Sequence, residues 1–416
     1  MILEVGFGSG VQSFYVPEEN LAGVMKAQEV DPAVTGEAAV REALLHPVGT
    51  PRVSEIVKPG EKIVVITSDI TRPMPSYRVL PLLLEELSLA GVKDEDVTVV
   101  LALGIHRPHT EQEKRKLVGD AVFDRVRCED STPDDCVRLG FTALGTPLDV
   151  SRRVAEADRR IALGNIEFHY FAGYSGGAKA IMPGVASHDS IQANHSRMVE
   201  EAAAAGRLEG NPVRADIDDV LSVCPIDFIL NVVLDEHKEI VCAVAGHPIE
   251  AHRKGCAFLD GLYASPIAER ADIVIASQGG APKDLNLYQT QKALDNAKHA
   301  VKDGGVIILV GSCKEGLGEA VFERWMLESP TPESMVERIG RDFELGGHKA
   351  AAIAMVLARA DIYLVSEMDG DFVRSIFLTP FGSVQDALDA AFAKLGRDAS
   401  VLVMPYAGST LPLAKG

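Results

Sequence analysis

The fold class is decided by residues 62–104, KIVVITSDITRPMPSYRVLPLLLEELSLAGVKDEDVTVVLALG. The runs at 62–68 and 97–104 are apolar and have the length of buried strands, whereas residues 77–91 repeat apolar side chains at helical spacing. Strands that alternate with helices form βαβ units, and the sheets of such units are mostly parallel. The segment therefore predicts an α/β fold.

The same alternation continues through the rest of the chain. Further strands are expected at residues 160–165, 227–235, 272–277, 304–312 and 361–367, and a further helix at 383–396. A chain of 416 residues is too long for a single hydrophobic core, so two domains are expected. We predict an N-terminal domain over 1–268, joined by 400–416, and a C-terminal α/β domain over 269–399, with the active site in the cleft between them.

Composition narrows the class of protein. Hydrophobic residues make up 47% and charged residues 24% of the chain, proportions that are typical of soluble globular enzymes. The net charge of −19 argues against binding to nucleic acid or to an anionic membrane surface. The chain starts without a signal-peptide pattern, has no apolar run of membrane-spanning length, and carries six cysteines without a C-x-x-C pair. We therefore expect a cytoplasmic protein with reduced thiols.

The glycine-rich start, VGFGSG at residues 5–10, resembles half of a dinucleotide-binding fingerprint. The third glycine of that fingerprint would fall at Val11, and no helical pattern follows. We predict a β-hairpin with glycine corners instead.

The loops that follow the predicted strands carry the reactive side chains. Ligands of open α/β sheets bind beyond the carboxyl ends of the strands. In SDITRPMP, residues 68–75, Arg72 can hold a carboxylate or phosphate through two parallel hydrogen bonds. The alternative is that Asp69 and Arg72 merely pair and tie the loop down.

A second loop, ALGIHRPHT at residues 102–110, contains two histidines. His106 or His109 can act as a general base because an imidazole titrates near neutrality. The pair can also bind a metal, although Pro108 breaks the helix that would align them. A loop histidine is, however, more often a solvated or capping residue.

The third loop, HYFAGYSGGAKAIMPGVASHDSIQANH at residues 169–195, combines two histidines, glycines and a lysine. Backbone amides between Gly173 and Gly177 can cradle a phosphate. Lys179 can supply a counter-charge or a covalent attachment point. Ser187 or Asp189 is expected to cap a helix that carries His195, a better metal-ligand candidate than His188. The bland alternative is a glycine turn with incidental histidines.

The fourth loop, SQGGAPKDLNLYQTQKALDNA at residues 277–297, leads into a predicted helix. Gln289 and Lys292 are three residues apart and share a helical face. A lysine near a helix start is unfavourable unless an anion sits there, which makes Lys292 a candidate partner for a substrate carboxylate. The alternative is an ordinary surface lysine.

Taken together, SDITRP, GIHRPHT, HYFAGYSGGAK…H and NLYQTQKA resemble the motifs of the nickel-pincer lactate racemase family. The resemblance spans roughly residues 60–300, with the segments in consistent order. His169, Lys179 and His195 are spaced as that family's motif requires.

The resemblance implies a two-domain α/β protein and a nickel-pincer cofactor. That cofactor is nickel held in pyridinium-3-thioamide-5-thiocarboxylic acid mononucleotide, attached at Lys179, with His195 completing the nickel coordination. The implied acid/base residues are His106 and His169. The implied substrate-binding residues are Arg72, Gln289 and Lys292. The further residues implied to line the cofactor are Asp69 and Tyr288, and Ser175 and Gly176 are predicted to bind it through the glycine loop.

The resemblance also implies a reaction, the racemisation or 2-epimerisation of a 2-hydroxy acid, with lactate as the default substrate. One histidine removes the hydroxyl proton while the C2 hydride moves to the cofactor, and return of the hydride to the other face of the 2-keto acid inverts the centre. Cofactor-biosynthesis proteins are the implied partners. Two alternatives stay open: an oxidoreductase with a diffusible nicotinamide cofactor, disfavoured by the incomplete fingerprint, and a non-catalytic nucleotide- or metal-binding protein, for which two bases and a carboxylate clamp are more than binding requires.

Overall fold

The computed structural model describes residues 1–25, 32–235 and 237–414, and these residues form two compact units. The described residues of one unit belong to Met1–Glu29 and Gly261–Gly416, and those of the other to Val30–Asp260. We call them the terminal unit and the central unit. No helix among the described residues has the length and apolar character needed to cross a membrane.

The strands follow one another along the chain as β1 (Ile2–Phe7), β2 (Gly10–Tyr15), β3 (Leu21–Val24), β4 (Ile63–Ser68), β5 (Val97–Ala102), β6 (Arg127–Asp130), β7 (Cys136–Phe141), β8 (Pro147–Ser151), β9 (Arg159–Asn165), β10 (Phe168–His169), β11 (Gly173–Tyr174), β12 (Phe228–Leu234), β13 (Ile240–Gly246), β14 (Ala264–Ile267), β15 (Ala271–Ser277), β16 (Val301–Val310), β17 (Asp361–Val365), β18 (Thr379–Phe381), β19 (Val401–Met404) and β20 (Leu411–Ala414). The α-helices are α1 (Gly36–Leu45), α2 (Val53–Ile56), α3 (Ser76–Leu89), α4 (Glu111–Val118), α5 (Asp120–Phe123), α6 (Arg152–Ala155), α7 (His188–His195), α8 (Pro212–Val223), α9 (Glu250–Tyr263), α10 (Leu287–Ala297), α11 (Ala320–Glu328), α12 (Pro332–Arg341), α13 (Gly347–Leu357), α14 (Gly370–Ser375) and α15 (Val384–Leu395).

The central unit is built on a sheet of order β13-β12-β9-β4-β5-β6. Neighbouring strands are parallel except for the β12–β13 pair. Strands β4, β5 and β12 are rich in Val, Ile and Leu and mostly buried, as expected of strands covered on both faces in an α/β layer. The α/β fold class predicted from residues 62–104 is confirmed.

Helix α3 covers one face of this sheet. Its residues Leu80, Leu83, Leu84 and Leu87 are fully or almost fully buried, at the i, i+3, i+4 and i+7 spacing of a single helical face. They pack into the same core cluster as the strands β4, β5 and β9. The helix predicted from the apolar repeat at 77–91 is therefore confirmed, and burial of this face is what holds it to the sheet.

The terminal unit contains a second sheet of order β18-β17-β16-β15-β19-β3, in which all neighbouring pairs are parallel. The predicted glycine-cornered hairpin is confirmed by β1 and β2, which pair antiparallel from Ile2↔Tyr15 to Phe7↔Gly10. Asp284 anchors its turn, because a carboxylate oxygen accepts the N–H of Gly8 at 2.7 Å.

The structure divides the chain differently from the predicted domains. Strand β3 pairs with β19, so the chain start lies in the terminal unit and not in the unit of β4. Strands β19 and β20 pair with β15 and β14, so the described residues of 400–416 also stay there (415 and 416 lie outside the description). Parallel pairing joins strands that are distant in sequence, and no local pattern reports it. The placement of the active site between the units stays a prediction.

Candidate active site

Three loops of the central unit begin at the carboxyl ends of adjacent strands. Ser68 pairs with Ala102 in the register of β4 and β5, so both strands end at the same level. The chain adds β5 and β6 on one side of β4 and later adds β9 and β12 on the other. The point between β4 and β9 is therefore a topological switch point, where open α/β sheets bind their ligands.

Asp69 and His106 form a short hydrogen-bonded pair at this point. Asp69 follows β4 and is 3% exposed, and its Oδ2 lies 2.6 Å from Nδ1 of His106. The hydroxyl of Thr71 donates to both carboxylate oxygens, at 2.9 and 3.1 Å. Because a carboxylate only accepts, Nδ1 of His106 carries the proton and Nε2 carries the lone pair of a base.

The ionisation of Asp69 is set by its neighbours. Burial raises the pKa of the Asp69 carboxyl, but the hydrogen bonds from His106 and Thr71 and the charges of His106 and Arg72 outweigh it. The pKa therefore lies below its ordinary value, and the carboxylate stays ionised beside His106. Arg72 itself has an exposed side chain.

His109, the second histidine of the loop after β5, has a structural role. Its Nε2 accepts the backbone N–H of Ile70 at 3.1 Å, so its proton lies on Nδ1, 2.7 Å from Oδ1 of Asp130. Lys114 in turn pairs with Asp130 at 3.0 Å. Both ring nitrogens of His109 thus hold the Asp69 loop in place, and no proton transfer is left to this ring.

His169 lies in the two-residue strand β10, which pairs with β11 so that His169 faces Gly173. Its Nδ1 accepts the backbone N–H of Ala172 at 3.3 Å. Burial, followed by the positive charges of Lys179 and Arg72, lowers the pKa of His169 well below its ordinary value. In the protein without substrate the ring is neutral, and its proton sits on Nε2.

The ring of Phe171 lies close to one predicted acid/base residue, His169, and to two predicted cofactor or metal residues, Lys179 and His195. It is 3% exposed, and its centroid lies 4.5 Å from that of His169 and 4.9 Å from that of His195, both in edge-on contacts. The Nζ of Lys179 lies 6.0 Å from the same centroid. One buried aromatic side chain thus brings together three residues that span the whole 169–195 segment.

The protonated form of the Lys179 amine is disfavoured by its surroundings. Its Nζ is buried and has no hydrogen-bond partner in the described structure. Burial first, and then the charges of Arg214 and Arg72, lower the pKa of Lys179 well below 10.5, which outweighs the opposite effect of Glu167. A lowered pKa increases the fraction of the lysine that is unprotonated and nucleophilic, as covalent attachment requires.

In the glycine loop before Lys179, two backbone amides already donate hydrogen bonds to other protein groups. The N–H of Ser175 donates to the carbonyl of Glu167 at 2.9 Å, and that of Gly177 donates to Oδ1 of Asn231 at 2.8 Å. For these two amides the predicted phosphate cradle is wrong. Gly176 has a φ of +79°, and a Cβ there would lie 2.8 Å from Asn231 Oδ1, so glycine is required for packing.

Two residues that sequence reasoning missed lie beneath this loop. Arg214 of α8 is fully buried and donates to the carbonyls of Ala172, at 3.1 Å, and Tyr174. His252 of α9 donates from Nε2 to the carbonyl of Ser175 at 2.8 Å. Neither has a local motif, because each meets the loop only through tertiary packing.

His195 is the last residue of α7, the helix predicted to carry it. Ser187 caps that helix, as one of the two predicted caps, by accepting the N–H of Ser190. His195 is 6% exposed, and its Nδ1 lies 2.9 Å from Oδ1 of Asn194. Across the described residues, no three His, Cys, Asp or Glu side chains come together as a metal site.

The remaining predicted residues lie on α10 of the terminal unit. Asn286 caps this helix by accepting the N–H of Gln289 at 3.0 Å, and Gln289 and Lys292 are exposed. Lys349 holds Tyr288 in place. Its Nζ donates to the Tyr288 carbonyl and lies 3.9 Å from the centroid of the Tyr288 ring. Burial, with the charge of Lys292, lowers the pKa of Lys349 to about 7.

Comparison with known proteins shows to which family the chain belongs. The model of the lactate racemase N-terminal domain matches residues 7–206, and that of the lactate racemase C-terminal domain matches residues 267–411. The lactate racemase of Thermoanaerobacterium thermosaccharolyticum is 37% identical over 415 residues, which cover 97% of each chain. This chain belongs to the lactate racemase family.

Further members agree with this assignment. The lactate racemase of Lactiplantibacillus plantarum is 32% identical over 402 residues, 94% of each chain. The solved lactate racemase apoprotein of T. thermosaccharolyticum superposes with a TM-score of 0.88 over the full length of both chains, at 34% identity. A Thermotoga maritima protein, 19% identical with a TM-score of 0.62 over 93% of this chain, shares the fold alone. The resemblance read from the four motifs is confirmed, and as a member of the lactate racemase family the chain is an isomerase.

Proposed function

We propose that the chain racemises or 2-epimerises a 2-hydroxy acid, with lactate as the default substrate, by using a nickel-pincer nucleotide attached at Lys179. The names of its lactate racemase relatives support the reaction. The observation that supports attachment of the cofactor is the Lys179 Nζ, which is buried, has no hydrogen-bond partner among the described residues and has a lowered pKa. Burying an amine without a hydrogen-bond partner costs free energy, which favours a functional role for this side chain.

The residues present fit the proposed group. Lys179 would form its covalent bond, and His195 would supply the single protein ligand to nickel, whose other ligands would come from the nucleotide. Soft sulfur donors together with an imidazole suit Ni(II). When bound, the group would supply the hydride acceptor that inversion at C2 requires.

His106 would act as the first base in this scheme. The Asp69 carboxylate fixes its Nδ1–H, so Nε2 is available to take the hydroxyl proton of the substrate. The imidazolium that results is stabilised by the ionised carboxylate. Asp69, predicted from the resemblance to line the cofactor, would thereby also act as a positioning residue for His106.

His169 would serve the opposite face of the substrate. The neighbouring charges of Lys179 and Arg72 are among the causes that keep its pKa low. An anionic substrate bound to Arg72 would offset part of this repulsion, and conversion of the Lys179 amine into a thioamide would remove its protonated form. Both changes raise the pKa of His169 towards the range in which an imidazole transfers protons reversibly.

Arg72 and Lys292 would hold the substrate carboxylate, with Gln289 beside it. Their exposed side chains support this role. A guanidinium binds a carboxylate through two parallel hydrogen bonds, which fixes the C2 hydroxyl relative to the bases. Tyr288 would line the cofactor, held in place by Lys349.

Ser175 and Gly176 would serve the cofactor through the shape of the loop. The hydroxyl of Ser175 donates to the carbonyl of Asn165 at 2.7 Å and accepts the N–H of Glu167 at 2.9 Å. Together with the close packing at Gly176, these bonds fix the turn that leads to Lys179.

The host must supply the nucleotide, so cofactor-biosynthesis proteins are the proposed partners beside the small-molecule substrate. We also propose a cytoplasmic location. The six cysteines, all described and all unpaired as disulfides, support a reducing compartment.

Intact-mass spectrometry with nickel analysis tests this function, on protein produced together with the cofactor-building enzymes. A mononucleotide-sized adduct at Lys179 and about one nickel per chain are expected, and Lys179→Met abolishes both. Lys302→Met is the matched control, because this exposed lysine pairs with Asp272 at 2.9 Å outside the proposed site. An unmodified Lys179 without nickel, under conditions that load a relative, refutes the proposal.

A further inference from the structure

A chain of hydrogen bonds leads from His195 into the core of the central unit. His195 Nδ1 lies 2.9 Å from Oδ1 of Asn194, and Nδ2 of Asn194 donates to Oδ2 of Asp216 at 2.8 Å. Asp216 belongs to α8 and is fully buried, as is Asn194. The hydroxyls of Thr142 and Thr146 also donate to Asp216, that of Thr146 at 2.7 Å.

The Asp216 carboxylate decides the orientation of the Asn194 amide. A carboxylate accepts hydrogen bonds and donates none, so the NH₂ group of Asn194 must face Asp216. The same NH₂ group also donates to the carbonyl of Val213 at 3.3 Å. The amide oxygen of Asn194 must then face His195, because the two ends of an amide point in opposite directions.

The orientation of the amide in turn decides the tautomer of His195. An amide oxygen accepts only, so Nδ1 of His195 must carry the proton. In the neutral ring the lone pair then lies on Nε2. A histidine that binds a metal commonly donates its other ring N–H to such a fixed acceptor, which sets both the tautomer and the ring plane.

We propose that Asp216, acting through Asn194, holds His195 in the Nδ1–H tautomer and presents Nε2 as a nickel ligand before the cofactor arrives. Both are positioning residues, since neither is proposed to touch substrate, metal or nucleotide. The role of the metal rests on the proposed function, whereas the tautomer follows from the hydrogen bonds alone.

The tautomer has a measurable consequence for metal binding. With the other tautomer, the Nε2 proton has to be moved before nickel can bind, and the ring is free to rotate. Loss of an outer partner of a ligating histidine typically weakens metal affinity by about 10- to 100-fold. We expect a loss of that size for Asn194→Leu, which keeps the volume of the side chain and removes its polar atoms.

Thr146→Val is the matched control. It removes one donor to Asp216 and leaves the bonds of Asn194 to Asp216 and to His195 intact. Its nickel affinity is expected to stay within about 3-fold of that of the unchanged protein, because the amide still has a single allowed orientation.

Nitrogen NMR of the cofactor-free protein labelled at histidine tests the proposal directly, above neutral pH and with the His195 signals assigned from His195→Gln. The unchanged protein should show a protonated Nδ1 and an unprotonated Nε2 at His195. Asn194→Leu should show a mixture of tautomers, and Thr146→Val the original one. Because the unchanged protein is itself diagnostic, the test survives if Asn194→Leu fails to fold.

A protonated Nε2 in the unchanged protein, or an unaltered tautomer in folded Asn194→Leu, overturns the proposal. Nickel content of the cofactor-loaded protein separates it from the proposed function. A protein with the expected tautomer that takes up neither nickel nor nucleotide contradicts the proposed cofactor while the hydrogen-bond chain stands. Equal nickel affinity of the loaded Asn194→Leu and unchanged proteins contradicts the chain while the cofactor stands.

Discussion

Replacement of Asp69 by Asn is the sharpest test of the acid/base assignment. The 2.6 Å bond to His106 joins a carboxylate that is 3% exposed to an imidazole that must become positive during turnover. An asparagine keeps the shape of the side chain but loses its charge, and its NH₂ group can turn towards Nδ1 and impose the wrong tautomer. The damage therefore falls on the step in which His106 takes a proton.

The size of the effect follows from the hydrogen bond. A hydrogen bond to a charged group contributes about 1.5–3 kcal/mol, and each ~1.4 kcal/mol of lost transition-state stabilisation is tenfold in rate. We expect kcat for lactate racemisation to fall by about 10- to 150-fold in cofactor-loaded Asp69→Asn. KM should change little, because Asp69 is not proposed to bind the substrate carboxylate.

Racemisation is followed from each enantiomer separately, by circular dichroism or with a dehydrogenase specific for one enantiomer. Asp130→Asn is the matched control, since Asp130 makes an equivalent 2.7 Å bond to Nδ1 of His109. This control should lose stability and keep more of its kcat than Asp69→Asn, because His109 supports the Asp69 loop but is not proposed to transfer the proton. An unchanged kcat in Asp69→Asn, or an equal loss in both variants, refutes the assignment of His106 as a base oriented by Asp69.

Three further predictions concern the cofactor-free protein. Between the lowered pKa of Lys179 and 10.5, the unfolded chain binds a proton that the folded protein lacks, so the free energy of unfolding should rise with pH in this range. Urea unfolding over a pH series should show a smaller increase of this free energy with pH for Lys179→Met. Equal increases in both proteins contradict the lowered pKa. Arg214→Met leaves two buried loop carbonyls without their donor, whereas Asp218 keeps its ion pair with Arg253. Hydrogen exchange in residues 168–180 should therefore speed up, with a stability loss of about 2–6 kcal/mol, and unchanged exchange rates there would show that Arg214 does not hold the loop. Leu83→Ala should lower the free energy of unfolding by about 2–5 kcal/mol, whereas Leu89→Ala on the exposed side of the same helix should change it by less than about 0.5 kcal/mol, and similar losses would contradict the packing of α3.

Local features of the chain were predictable from sequence. The strands at 63–68 and 97–102 and helix α3 follow from apolar spacing over a few residues, and so does the hairpin at the chain start. Ser187 was recognisable as one of two candidate caps because capping depends on residues three apart. The rule that ligands bind beyond strand ends also directed attention to Asp69, His106 and His169.

The sequence by itself determined the fold class, the identity of the reactive side chains and, through its motifs, the family. Only the tertiary structure decided that β4 lies between β5 and β9, that β3 joins β19, and that Arg214 and Asp216 reach the 169–195 segment from α8. It also decided which nitrogen of His106, His109, His169 and His195 carries the proton, and that two of the glycine-loop amides are already used. These properties depend on burial and on hydrogen-bond partners distant in the chain, and both arise only when the packed sheet brings those partners within about 3 Å.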